Sequence, residues 1–214
     1  MKKYLALACA LITPGLLFSA EKPDGVLGTN MVSVSALYSN IDLDYYDSGD
    51  LDFAGIDITM NQNLAKTKSC GVDLNMSYAY MTNQNYTNEI SMDSRQFILG
   101  ATIYRDGMIS PFFRPIVGYV NEKVEGAGIG SETADTWIYG GQIGVELHLM
   151  RGLSLTPIVG YYNGSDDNYT SETIVGLGAN YWFGEHLGML GSVEYSNQEH
   201  ISEIDFSLGM AMHY

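Results

Sequence analysis

The stretch from Ser196 to Ser202 holds two hydroxyls, the carboxylate of Glu199 and the imidazole of His200. A serine, a histidine base and an orienting acid are the parts of acyl transfer. One reading is therefore a hydrolase acting on lipid, with His200 as its base. A second group is acidic. Asp42, Asp44, Asp47, Asp50 and Asp52 crowd one segment, and Asp44, Asp47, Asp50 and Asp52 could hold a divalent cation such as Ca²⁺ at a rim. They lack the ordered ligand spacing of a calcium loop, so solvated surface charge is the default reading. Glu122, Glu125, Glu132 and Asp135 surround the run Gly126-Ala127-Gly128-Ile129-Gly130. No Lys-Ser/Thr follows that run, which excludes a phosphate cradle. The third feature is a lone base, Arg114, whose surroundings depend on the elements that carry it.

Those elements are strands. Ile204, Phe206, Leu208, Met210, Met212 and Tyr214 are apolar at every second position, with Glu203, Asp205, Ser207, Gly209, Ala211 and His213 between them. Cys70, Val72, Leu74, Met76, Tyr78 and Tyr80 repeat the pattern, and so does Tyr139 through Leu149. Side chains alternate across a strand, so each segment has one greasy face and one small or polar face. Apolar-out, polar-in alternation over about ten residues is the signature of a transmembrane β-barrel. A soluble β-sandwich also alternates, but its apolar faces are shorter.

Residues 1–20 read as a signal peptide: Lys2 and Lys3, an apolar stretch from Tyr4 to Phe18, and a small-residue cut at Ser19-Ala20. The remaining chain divides into 21–30, a short periplasmic segment, and 31–214, the barrel. Without residues 1–20, 8 Lys and Arg face 25 Asp and Glu. That balance argues against nucleic acid as a partner. Only Cys70 is left among the cysteines, so no intramolecular disulfide forms. Cys70 reads as a small residue on an apolar strand face. No cofactor is implied.

Tight connections at 105–107, 150–152 and 183–186 alternate with longer polar stretches near 82–91, 121–134 and 163–169. Short turns at one end and long loops at the other place the short turns on the periplasmic side. Parity then demands a strand between 31–45 and 67–81, which 51–60 supplies. The expected fold class is all-β: an antiparallel transmembrane β-barrel of ten strands, 31–45, 51–60, 67–81, 92–104, 108–121, 135–149, 153–163, 170–182, 187–197 and 201–214. An eight-strand barrel starting at 67 is the alternative. Arg114-Pro115-Ile116-Val117-Gly118-Tyr119 recurs as Thr156-Pro157-Ile158-Val159-Gly160-Tyr161. Pro111, Pro115 and Pro157 cannot donate to a ladder, and a local bulge is the expected accommodation.

With its terminal alternation, its Pro-x-x-Gly-Tyr strands and Gly144-Val145-Glu146-Leu147 running into a short turn, the chain resembles the small bacterial outer-membrane β-barrels around the outer membrane protein A transmembrane domain. The resemblance covers about residues 31–214. It implies residence in the outer membrane, contact with outer-membrane lipid and lipopolysaccharide, and recognition of the C-terminal strand by the barrel-assembly machinery. Such barrels include structural anchors, narrow pores, adhesins and a few enzymes.

The alternation sends Asp73, Gln96, Arg114, Gln142, Glu146, His148, Glu172, Asn180, Glu194, Glu203 and Asp205 into the lumen. It also sends Phe112, Tyr162, Trp182 and many glycines there. A buried guanidinium needs carboxylate partners, so a salt-bridge network of Arg114 with Asp73, Glu146, Glu194 and Asp205 is expected to plug the barrel. Tyr78, Tyr80, Tyr119, Tyr139, Tyr161 and Tyr195 form an outer girdle; Tyr181, Phe183 and Tyr214 form an inner one. The functional expectation is a non-enzymatic barrel for envelope structure and surface interaction. A narrow cation-preferring channel is the alternative.

Overall fold

The computed structural model describes residues 23–43, 51–83, 90–126, 130–165, 171–199 and 201–214. Within these, the chain runs through β1 (Met31–Leu43), β2 (Leu51–Lys66), β3 (Cys70–Asn83), β4 (Ile90–Arg105), β5 (Ile109–Gly126), β6 (Gly130–Met150), β7 (Leu153–Gly164), β8 (Glu172–Trp182), β9 (Leu187–Gln198) and β10 (Ile201–His213). Each strand pairs antiparallel with its chain neighbours, and β1 pairs with β10, closing the barrel. Ten strands is thus the count, and the segment at 51–60 is a true strand that continues to Lys66. Residues 1–20 lie outside the described residues.

The alternation read from the sequence sets the two faces. Along β8 exposure switches at every residue through most of the strand. On β10, Phe206 is 48% exposed and Leu208 60%, while Ala211 is 2%. Exposed valines, isoleucines, leucines and aromatics recur on the other strands all round the outside. Soluble monomers seldom expose contiguous apolar patches beyond a few hundred Å². A belt on every strand matches a lipid solvent, and closure into a barrel excludes a two-sheet sandwich. No helix among the described residues is long and apolar enough to cross a membrane; strands do the crossing.

Two local readings are corrected. The prolines create no bulge. On β5 the pairing with β4 lapses between Ile116 and Phe113 and resumes in the same register; on β7 the pairing with β6 lapses between Ile158 and Leu155 and does likewise. Each missing N–H costs a local ladder contact without an inserted residue. The bulges fall elsewhere, at Asn63/Ala65 and His148/Met150. Finally, most of the polar stretch 121–134 is not loop. β5 and β6 stay paired up to Gly126 opposite Gly130. Its charged residues gave no apolar face to read, because a hairpin standing in water needs none.

Inside, aromatic rings lie across glycines on the neighbouring strand. Gly71 stands opposite Tyr104, Gly144 opposite Phe112, Gly140 opposite Tyr162 and Gly188 opposite Trp182. A Cβ on Gly71 would come within 2.1 Å of the Tyr104 ring, whereas one on Gly184 meets nothing within 4 Å. Gly71→Ala should therefore cost about 1–3 kcal/mol, the usual cost of overpacking. Gly184→Ala should leave the urea midpoint in micelles unchanged.

Candidate functional site: the lumen and its closed mouth

At the short-turn end, residues 23–30 fold back into the barrel mouth. Val26 N and Leu27 N donate to the two carboxylate oxygens of Glu146, at 2.7 and 3.0 Å. Gly28 N donates to Asp73 Oδ2 at 2.7 Å. Asn61 Nδ2 reaches the carbonyls of Val26 and Thr29, at 3.1 and 2.8 Å. Trp182 Nε1 donates to Gly25 O at 3.1 Å, and His148 Nδ1 lies 3.1 Å from Asp24 O. The partners sit on β2, β3, β6 and β8. Since β3 and β8 lie on opposite sides of a ten-strand ring, the segment crosses the lumen from wall to wall.

Two glycines permit this path. A Cβ on Gly25 would sit 2.4 Å from Glu146 Oε1. Gly28 has φ of 73°, a left-handed conformation that costs glycine nothing. The side chain of Val26 packs on the buried cluster of Met31, Trp182 and Ala211.

This arrangement explains the two buried carboxylates differently from the expected salt-bridge plug. Asp73 and Glu146 are both fully buried, and backbone amides of the crossing segment donate hydrogen bonds to them. Such charge-assisted bonds to N–H groups can replace hydration. Ser154 Oγ adds a bond to Glu146 at 2.6 Å, Asn63 Nδ2 adds one to Asp73 at 2.7 Å, and His148 Nε2 stands 3.9 Å from Glu146.

Arg114 makes no ion pair among the described residues. Its Nε donates to Thr102 Oγ1 at 2.7 Å and its Nη1 to Gln142 Oε1 at 3.1 Å, with the Phe112 ring centroid 5.3 Å away. Register is the reason. Gln142 stands opposite Arg114, and Ser110 opposite Glu146; four residues along a strand is roughly 13 Å. The arginine still communicates with the mouth through neutral groups: Thr102 bonds Asn75, Asn75 bonds Asn61, and Asn61 bonds Asp73.

Glu194 and Asp205 belong to a separate acidic wall. They are direct cross-strand partners on β9 and β10, and Glu203, bonded by Ser39, continues that wall on β10. The five residues expected to form one network thus divide into a mouth pair, a wall pair and an arginine held by neutral acceptors. At the opposite rim, Asp52 Oδ1 accepts Tyr38 Oη at 2.6 Å and Asn40 Nδ2 at 3.0 Å. Asp44, Asp47 and Asp50 lie outside the described residues, as does His200. Ser196 is buried, and Ser202 Oγ pairs with the Tyr195 hydroxyl at 3.2 Å. Cys70 is exposed beside the β2–β3 turn.

Sequence reasoning placed Asp73 and Glu146 in the lumen but missed what they bind. The signal was present in Gly25-Val26-Leu27-Gly28, two flexible residues flanking an apolar pair just before the first strand.

No protein-family model matches the chain, and no curated protein does. Solved structures do. An outer membrane channel from Pseudomonas putida F1 superposes with a TM-score of 0.51 at 11% identity, covering 95% of this chain and 100% of that one. The translocator domain of the autotransporter NalP from Neisseria meningitidis gives 0.50 at 11% identity, covering 100% and 94%. The chain has the fold of a bacterial outer-membrane β-barrel. In such barrels the short turns are periplasmic; here residues 23–30 cross the lumen at the short-turn end, and the acidic wall lies towards the other end.

Proposed function

We propose that this outer-membrane barrel is non-catalytic, serves envelope structure and surface interaction, and is shut to solutes at its periplasmic mouth by residues 23–30. The observation that carries this reading is the set of bonds from Val26, Leu27 and Gly28 to Glu146 on β6 and Asp73 on β3, with Trp182 on β8, opposite β3, holding Gly25. Hydrogen bonds to charged groups contribute about 1.5–3 kcal/mol each, so three of them hold the segment shut most of the time. The belt of exposed apolar side chains, with Tyr139, Tyr161 and Tyr195 above it and Tyr181 and Phe183 below, matches outer-membrane lipid and its two interfaces. Export by the signal peptide of residues 1–20 belongs to the same proposal.

Refolded protein in a planar bilayer should be silent under an applied potential, with folding verified by heat-modifiable gel migration. Steady conductance steps from the unaltered protein would sink the closed-barrel reading in favour of a narrow channel. That second reading has its own support in the carboxylates of Glu194, Glu203 and Asp205. Such a wall would make any open path prefer cations.

A further inference from the structure

β6 outruns its neighbour. Its pairing with β7 ends at Ile138 opposite Gly164, while its pairing with β5 continues to Gly130. One more contact follows on the β7 side: Ser165 N donates to Trp137 O at 2.8 Å. Beyond it, residues 131–136 have no strand partner on that side among the described residues. Ser131, Glu132, Thr133, Ala134 and Asp135 are all exposed. Trp137 and Tyr139, 57% and 51% exposed, belong to the outer aromatic girdle, so this edge rises about 20 Å beyond it into the extracellular medium.

The direction of the unused groups follows from Trp137. Its carbonyl points towards β7, and in an antiparallel strand a residue's N–H and C=O share a side and alternate along the chain. Ser131, Thr133 and Asp135 therefore turn their N–H and C=O to the open edge, and Glu132, Ala134 and Thr136 turn theirs to β5. Such an edge is a template for a further strand.

We infer that the open edge at residues 131–136 captures an extended segment of another protein by strand addition, with Lys or Arg at two positions three apart. The inference rests on the surface-interaction reading above and gives it a partner chemistry. An added strand sets one residue opposite each residue of β6. Basic residues opposite Asp135 and Glu132 meet carboxylates across the strands, and the two between them, opposite Ala134 and Thr133, suit small or β-branched side chains. Glu122 and Glu125 on β5 extend the negative field; Lys123 is paired with Glu125. A second copy is the poorer occupant. Antiparallel self-pairing must set outward residues opposite outward residues, so about the centre of this edge Thr133 faces Thr133, Asp135 faces Ser131 and Glu132 faces Ala134, which brings no base to either carboxylate.

The test uses the full barrel in nanodiscs and a labelled hexapeptide, Thr-Lys-Val-Thr-Lys-Thr, followed by fluorescence anisotropy. Binding should weaken as salt is raised and should be absent for the Lys→Glu peptide. Thr133→Pro removes one outward donor while sparing the bonds to β5, and should weaken binding at least about tenfold, the effect of roughly one lost hydrogen bond. The charge-reversed pair Glu132→Lys, Asp135→Lys should exchange the preference, taking the Glu peptide and refusing the Lys peptide. That exchange needs no proline and survives any folding defect in Thr133→Pro. No binding of the basic peptide, or no exchange in the reversed pair, overturns the inference. So does a dimer that Thr133→Pro abolishes in a protein blind to the peptide. Failure here leaves the silent bilayer intact, whereas a conducting wild-type barrel leaves the edge intact.

Discussion

Glu146→Gln is expected to open the periplasmic mouth. The carboxylate accepts Val26 N on one oxygen and Leu27 N on the other. A glutamine offers one oxygen and turns its NH₂ on the second donor, so one charged hydrogen bond becomes a donor–donor contact. A charged bond contributes about 1.5–3 kcal/mol, which raises the open fraction roughly ten- to hundredfold. The barrel itself need not weaken, since the substitution also removes a buried negative charge whose desolvation opposes folding. Two readouts separate these effects. In a planar bilayer the variant should show brief, cation-preferring openings. With Cys70→Ser as background, a Val26→Cys probe should react with maleimide roughly tenfold faster or more in the variant, the lower end of that rise in open fraction. Asp73→Asn removes charge from a site with only one amide of the segment, Gly28 N, and should do less. Silence with an unchanged labelling rate would place the closure elsewhere in the lumen.

The architecture was largely legible because its physics is local. A strand facing lipid on one side and a packed lumen on the other must alternate at every residue, and β3, β6, β8 and β10 do so over long runs. Parity then required β2. What escaped was governed by relations that one segment does not display. The expected Arg114 network failed because facing the same lumen says nothing about level; strand register alone sets Gln142, and not Glu146, opposite the arginine. The crossing segment escaped because it has no period. Its contacts are backbone amides, which every sequence supplies, meeting carboxylates far along the chain. The tall β5–β6 hairpin escaped because outside the membrane no apolar face is needed to hold a paired ribbon, so acidic residues there looked like loop. All three misses concern the polar parts of the barrel, where the binary pattern falls silent and the particular features of this protein reside.

Trp182→Ala should be the most damaging single substitution in the barrel. The indole is fully buried, and it packs with Met31 and Ala211 at the seam where β1 meets β10. Val26 of the crossing segment and Leu190 complete its surroundings, and its N–H holds Gly25 O. Removing a buried tryptophan side chain typically costs about 3–5 kcal/mol. Here the loss falls on two structures at once: the closing seam, which fixes the barrel, and the segment that crosses its mouth. The urea midpoint in micelles should drop accordingly, and the surviving folded protein should conduct. Trp182→Phe keeps most of the apolar contact and loses the donor, so it should cost much less stability, with about 1 kcal/mol from the hydrogen bond, and only loosen the segment. Were both variants equally stable, the indole would be filling space without joining the seam, and closure of the ring would rest on the β1–β10 ladder alone. A large loss in the alanine variant with a small one in phenylalanine ties the first strand, the last strand and the closed mouth to one side chain. It would also explain why the residue opposite it on β9 is Gly188, where a Cβ would lie 2.6 Å from the ring.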